Sequence, residues 1–547
     1  MAWIPPVELV GDSSNLRVSA TILSGGSACG RYLALKARPK VNAAGWKPFY
    51  GTTSLFLPGD LVRLIKAAHA APPEALAPSS ITGWLQQQFD ALAVHRLARP
   101  FLARAVENIL EAHEAIEGEL GPLRLTAHDP KVGRPGQQLS VWGPVYFGEQ
   151  GVREVRRYRL GRAHSAPTEG DRRWGVTAAY VIARLGSRPD RVRAVEIGAL
   201  DGSISVLFDD TPEAAQEAFQ SLGMPHLLQV IEQTQASPGW DCAGCKIAGA
   251  CDSLVPLTGM LGQRGPGIAF RSIAPYELQE YRQCPARWLL SRDLKLPKDQ
   301  DVTEPQARGR AVHQWLRAAH ERRVACRRED LPEPGRDLGL DDAAGLSPEE
   351  YAAAYPYLLQ HLDKCPLGIP NTVVVGVEQP VHGVDHDAQV VVAAAPDLTV
   401  LRDGKLILRE VKTAAALPPH GREEAYSQYL QIPFLVRMLA SGLAAHHGVA
   451  AGRVELEMLT PDGAEVWAWN SDHQMTADVA AGDVRRAVEP WHTDATWASR
   501  PGPHCARCPV RQWCPDADDE HPPGTSPRQG IDLESLAGKA IHELPPF

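Results

Sequence analysis

Ten cysteines stand in the chain, and eight of them fall into two sets with one spacing. Cys242, Cys245 and Cys251 read C-x2-C-x5-C, and so do Cys505, Cys508 and Cys514. A lone cysteine lies far upstream of each trio, Cys29 before the first and Cys284 before the second, which leaves only Cys326 and Cys365 over. Clustered thiols in a cytosolic chain point to metal rather than to disulfides. Four thiolates can hold a [4Fe–4S] cluster or a zinc ion, and spacing alone leaves both open. A second group lies between Cys284 and the last trio. Asp397 and Glu410 offer the oxygen ligands that Mg²⁺ or Mn²⁺ takes, and Lys412 follows Glu410 by two residues. A metal there polarises a phosphoryl oxygen and lowers the pKa of a bound water, while a lysine orients the water or stabilises the developing negative charge. The set suits phosphodiester hydrolysis. His313 adds a nitrogen ligand, a preference closer to Mn²⁺ than to Mg²⁺. Singly, each residue has a plainer role: a structural histidine on an amphipathic helix, a solvated Glu-x-Lys strand face, a turn aspartate after Pro396.

These residues converge only if particular elements carry them. A helix is predicted around Gly309–Leu316, followed by strands over 372–377, 389–394 and 397–401. The turn Arg402-Asp403-Gly404-Lys405 then leads into a strand over 406–413. Asp-Gly between two β-type runs is a hairpin signal. Alternation along the second strand puts Glu410 and Lys412 on one face, with Asp397 near the adjacent strand.

The cysteine spacing is one sign of an internal repeat. Arg193–Ile197 with Asp201-Gly202 parallels Arg453–Leu456 with Asp462-Gly463. The apolar helix 178–185 parallels 432–439, and 151–156 parallels 406–412. A length of 547 residues allows roughly two to four domains. The expected division is a first module over 1–254, a Gly/Pro-rich linker over 255–269 and a second module over 270–515. An acidic, Pro-containing tail over 516–547 is disordered or docks a partner.

With 44% hydrophobic and 22% charged residues the composition is that of a globular chain. A net charge of −9 excludes a surface that grips phosphate all over, but not a local basic cleft. Arg153, Arg156 and Arg157 form one such candidate. No apolar run approaches the ~18 residues of a membrane span, and the first residues lack a secretory pattern, so a cytoplasmic location without membrane contact is expected. No G-x4-G-K-[ST] loop is present. Any unwinding would fall to a helicase or ATPase partner.

The string Cys284 … Gly309-x3-His313 … Pro396-Asp397 … Glu410-Val411-Lys412 … Gln431 … C-x2-C-x5-C resembles the iron–sulfur branch of the RecB-like PD-(D/E)XK nucleases, which includes AddB-type subunits and CRISPR-associated RecB-like exonucleases. It covers residues 270–515 well and 15–255 as a worn copy. The resemblance implies an α/β fold of two tandem restriction-endonuclease-like modules, each a mixed sheet flanked by helices and stapled by a [4Fe–4S] cluster on four cysteines. It also implies a metal held by His313, Asp397, Glu410 and the Val411 carbonyl, with catalysis by Asp397, Glu410, Lys412 and Gln431. The tyrosine expected four residues after Gln431 is Leu435 here, and Gln428 is a weaker candidate for the glutamine.

Aligned on the shared strings, the first copy has Val62 for His313, Val145 for Asp397, Arg156 for Lys412 and Thr177 for Gln431, keeping only Glu154. It is expected to be silent, with Arg153, Arg156 and Arg157 gripping phosphate. Three function classes stay open: a metal-dependent DNA nuclease of repair, recombination or phage defence; a non-catalytic nucleic-acid-binding scaffold of a helicase–nuclease or defence complex; and a zinc-stapled protein unrelated to DNA.

Overall fold

The computed structural model describes residues 8–45, 56–262, 270–299, 303–335 and 344–517. Residues 1–7, 263–269 and 518–547 lie outside it, and with them the chain start, part of the expected linker and nearly all of the expected tail.

Each half contains a five-stranded sheet. In the first, β1 (Leu123–His128), β2 (Pro144–Gly148), β3 (Val152–Arg159), β4 (Arg191–Gly198) and β5 (Ile204–Asp210) lie side by side in chain order. In the second, so do β6 (Thr372–Val377), β7 (Leu398–Arg402), β8 (Lys405–Thr413), β9 (Ala450–Thr460) and β10 (Gly463–Asn470). The third and fourth strands of each sheet run parallel, and the other neighbours are antiparallel. A parallel pair needs a crossover, and a helix supplies it in both: Glu169–Ile182 in the first, Gln431–Met438 in the second.

The correspondence extends to small side sheets. Leu16–Ser19 runs parallel to Gln137–Ser140, which pairs antiparallel with Lys131–Arg134. Arg271–Ile273 runs parallel to Val390–Ala394, which pairs antiparallel with Val381–Asp385. The run expected as a strand around 389–394 therefore belongs to the side sheet, not to the sheet that carries Glu410.

Helices α1 (Leu57–Ala70) and α2 (Arg99–Leu120) precede the first sheet, and α3 (Glu304–Glu321) and α4 (Pro348–Leu362) precede the second. Their starts are written locally. At α4, Ser347 Oγ accepts the Glu350 N–H while the Glu350 carboxylate accepts the Ser347 N–H. Along α3, Val312, Trp315, Leu316 and Ala319 recur at helical spacing and are buried.

The halves interlock rather than hang from a free linker. Val255–Pro256 joins the second side sheet, Leu257, Met260 and Leu261 are buried, and Asp385 accepts the Gly259 and Leu261 N–H groups. Phe101 packs edge-on against Trp513, and Arg96 pairs with Asp516 at 2.5 Å. Among the described residues no helix is long and apolar enough to cross a membrane.

Candidate active site and cysteine pockets

The hairpin β7–β8 turns at Asp403-Gly404, both with positive φ (50° and 75°), as a two-residue turn between Arg402 and Lys405 requires. Its register pairs Leu398 with Arg409 and so brings Asp397 beside Glu410 at the open end. The Val411 N–H donates to Asp397 Oδ2 at 2.6 Å and fixes that carboxylate. From α3, His313 Nδ1 reaches Asp397 Oδ1 at 3.0 Å. Two residues along β8, Lys412 Nζ donates to Glu410 at 3.0 Å. His313, Asp397, Glu410 and Lys412 are thus brought together as expected.

One member was not foreseen. Glu378 follows β6 with φ 44°, and its N–H donates to the Asp397 carbonyl at 3.0 Å. Its carboxylate joins His313 and Asp397 in a group whose ligand atoms all lie within 4.8 Å of one another. Nothing in the sequence marks a lone glutamate after a valine-rich strand; only the antiparallel register of β6 with β7, which pairs Val377 with Leu398, brings it in.

Burial and charge compete at each group. Burial pushes Glu410 up to about 7, with Lys412 pulling it down and Asp397 pushing it further up. Burial opposes charge on His313, yet Asp397 outweighs it and raises the imidazole. For Asp397 burial is overcome by His313 and Lys412, and the carboxyl falls below its ordinary value. Burial raises Glu378, with Asp397 adding to the effect. One imidazole and three carboxylates, one of them held by a lysine, form a donor set that fits a hard divalent cation.

Gln431 opens the crossover helix, and Leu435 is buried in the core, so the place of the expected tyrosine is an apolar packing position. Tyr429 instead lies near Lys412, and burial raises its hydroxyl above the ordinary tyrosine value while the lysine's charge works the other way.

Each cysteine set meets in one pocket. Cys29, Cys242, Cys245 and Cys251 line the first, and Cys284, Cys505, Cys508 and Cys514 the second. Arg31 Nη1 donates to Cys251 Sγ and the Gly239 N–H to Cys242 Sγ, both at 3.4 Å. Burial pushes Cys242 up to about 11 and Cys245 to about 12. Bound metal charge is what would convert such buried thiols to thiolates, and four sulfurs with N–H donors aimed at them fit a metal group.

The three arginines expected to grip phosphate do not offer themselves to it. Arg153 is buried and donates to the carbonyls of Ile182 and Ser187. Arg156 is fully buried against Glu154 at 2.5 Å, and Arg157 pairs with Glu196 and Asp171. Strand alternation cannot reveal this, because both faces of the sheet are covered.

Register also corrects the expected alignment of the first half with the second. Opposite Glu154 stands Tyr146, not Val145, and His69 from α1 meets the Tyr146 hydroxyl at 2.9 Å, where Val62 was expected.

Residues 272–515 match the family model described as the PD-(D/E)XK nuclease superfamily. No curated protein matches the chain. Among solved structures it is similar to one described as "Crystal structure of SSO0001", at 12% identity over 43% of this chain and 85% of that one, with a TM-score of 0.20. Residues 272–515, the part that carries the convergent carboxylates and Lys412, are therefore a domain of the PD-(D/E)XK nuclease superfamily.

Proposed function

We propose that the chain is a divalent-metal-dependent DNA nuclease, an exonuclease or flap-type enzyme of repair, recombination or prokaryotic anti-phage defence. The observation that carries this is the meeting of His313, Glu378, Asp397, Glu410 and Lys412 at one end of the β7–β8 hairpin. His313, Asp397, Glu378, Glu410 and the Val411 carbonyl would hold Mg²⁺ or Mn²⁺. Such an ion supplies Lewis acidity toward the phosphodiester and a lowered pKa for attacking water. Lys412, kept charged because Glu410 and Asp397 outweigh its burial, places a positive charge where negative charge develops on phosphate. Glu410 orients that lysine, the Asp397 carboxylate orients His313, and Gln431 and Tyr429 flank the approach of DNA.

The two four-cysteine pockets support two [4Fe–4S] clusters and membership of the RecB-like iron–sulfur branch, with zinc as the other ion four thiols accept. Each set joins segments more than 200 residues apart, and closing so long a loop stabilises the fold. Matching sheets, side sheets and cysteine sets support a tandem duplication, with modules over 1–254 and 270–515. The first copy is a closed scaffold, and an ATP-driven or other defence-system partner supplies unwinding.

The test is a nuclease assay on end-labelled single- and double-stranded DNA, using anaerobically purified protein with Mg²⁺ or Mn²⁺. Cutting by wild type, lowered about a thousandfold or more by Glu410→Ala and by Lys412→Ala, is the expected result. Folded, iron-loaded wild type that leaves both substrates intact would overturn the catalytic reading. A colourless, iron-free protein would overturn the cluster alone.

A further inference from the structure

Two cysteines remain outside the paired sets, Cys326 and Cys365, and the fold brings them together with two histidines. His320 sits in the last turn of α3 and Cys326 in the loop that follows; His361 sits in the last turn of α4 and Cys365 just past its end. Two helix ends thus each present a histidine and a trailing cysteine to the same spot. The four ligand atoms all lie within 4.8 Å of one another, and all four residues are buried. We propose that His320, Cys326, His361 and Cys365 form a closed tetrahedral Cys2His2 site for a structural zinc ion, separate from both the catalytic metal and the all-cysteine pockets.

The detailed geometry supports that ligand set. Two nitrogens each about 2.05 Å from one ion at the tetrahedral angle stand about 3.3 Å apart. His320 Nε2 and His361 Nε2 are 3.3 Å apart. Cys365 Sγ is 4.0 Å from His320 Nε2, near the spacing of a sulfur and a nitrogen on the same ion. The other nitrogen of His361, Nδ1, lies 2.6 Å from the Glu457 carboxylate, so the proton sits there and the Nε2 lone pair faces the centre. Glu457 is held in turn by Arg409 at 2.9 Å, which completes the outer support a ligating histidine requires. Cys365 Sγ accepts the Cys326 N–H at 3.4 Å, a contact that favours thiolate. Two thiolates formed by releasing two protons balance the charge of Zn²⁺. Cys326 and Cys365 belong to one buried cluster with Trp315, Leu316, Leu331, Leu358 and Leu459, and four protein ligands fill a tetrahedral shell as a structural site requires.

The site would also serve the chemistry as a positioning device. His313 and His320 are seven residues apart on α3, two turns along one face. Glu457 stands opposite Val411 in the β8–β9 pair, between Glu410 and Lys412 on the neighbouring strand. The ion would pin the helix that carries His313 to the sheet that carries the carboxylates.

Metal analysis of the full-length chain tests this. Wild type is expected to hold about one zinc more per chain than Cys326→Ser/Cys365→Ser, with equal iron in both. Zinc-edge X-ray absorption on wild type needs no variant. It should show nitrogen and sulfur together in the zinc shell, at about 2.0 and 2.3 Å. Zinc-free folded wild type, a zinc shell of sulfur alone, zinc unchanged in the double variant, or a Cys326–Cys365 disulfide by mass spectrometry would each overturn the proposal.

Discussion

At the place where the second sheet gathers His313, Glu378, Asp397 and Glu410, the first sheet gathers His69, His113, Tyr146, Glu154 and Arg156. The frames agree strand for strand, and what fills them differs. In the second, carboxylates face a half-open end, with the Asp397 side chain 18% exposed. In the first, the Arg156 guanidinium lies over the Tyr146 ring at 4.0 Å, donates to Glu154 at 2.5 Å and meets His113 Nδ1 at 2.8 Å, with no exposure. A resident cation occupies the spot where a metal would stand. Burial disfavours charge on Arg156, but Glu154 outweighs it and keeps the arginine ionised. Burial and that nearby charge hold His113 at about 3, hence neutral and an acceptor. The same strand–strand geometry can thus hold an exchangeable ion for chemistry or a fixed one for stability.

The sharpest way to break this comparison is to remove the matching glutamates. Glu154→Ala strands a buried, unpaired Arg156 and is expected to cost roughly 3–5 kcal/mol of folding stability. Cutting by the folded fraction should stay at the wild-type level. Denaturant unfolding measures the first effect, and the end-labelled assay at a permissive temperature measures the second. If folded Glu154→Ala protein lost cutting, the first site would be part of the catalytic machinery and the division of labour would be wrong.

Much of the second site was legible because its residues sit on regular elements. Period-two alternation placed Glu410 with Lys412, and Asp403-Gly404 announced the hairpin that sets Asp397 beside them. The cysteine sets were legible from spacing alone. Glu378 was not, since it enters through the register of two antiparallel strands rather than through a motif. The arginines misled for a related reason: charge on a strand reads as solvated unless the layers covering both faces are known. His320 and His361 stand 41 residues apart and join only when α3 packs on α4, so the leftover cysteines gave no sign of their partners. The first copy was aligned one residue out at Tyr146, because sequence strings do not carry cross-strand register.

The two halves answer pH differently: His113 in the first stays neutral down to about 3, whereas Glu410 in the second changes charge near 7. Glu410, raised by burial from 4.5 to about 7, keeps a proton in the folded apoprotein that the unfolded chain has lost. Its contribution to stability is therefore fully present below 4.5 and is lost as pH rises to about 7. A divalent ion needs the Glu410 carboxylate and a neutral His313, so Mn²⁺ affinity should climb at least about tenfold per pH unit up to about 7 and go on rising until the raised His313 is neutral. Calorimetry in buffers of differing ionisation heat should record more than one proton released per ion below that point, from Glu410 and His313 together. Glu378→Gln should weaken Mn²⁺ binding about 10- to 100-fold where Glu378 is ionised, and less at lower pH, where burial and Asp397 keep that carboxyl protonated. A flat affinity between about pH 6 and about 8, roughly a unit either side of 7, would mean that Glu410 does not meet the ion.

The smallest effect expected is at Arg157, and its smallness is the point. Its guanidinium is committed to Glu196 and Asp171, and the side chain is 17% exposed, so it neutralises no phosphate. Removing one phosphate-neutralising side chain from a protein–DNA complex lowers the slope of log affinity against log salt by about 0.9 for duplex and about 0.7 for single strands. Arg157→Gln, which removes the charge, should leave that slope unchanged for both substrates, read by fluorescence anisotropy across a salt series with Ca²⁺ in place of the catalytic ion. Glutamine keeps hydrogen-bond donors for the carboxylates, and His164 Nδ1 still lies 2.7 Å from Asp171, so folding is preserved better than with alanine. A slope lowered by about one unit would mean that the strand opens onto DNA after all. The first half would then be a binding surface rather than a sealed counterpart of the active one.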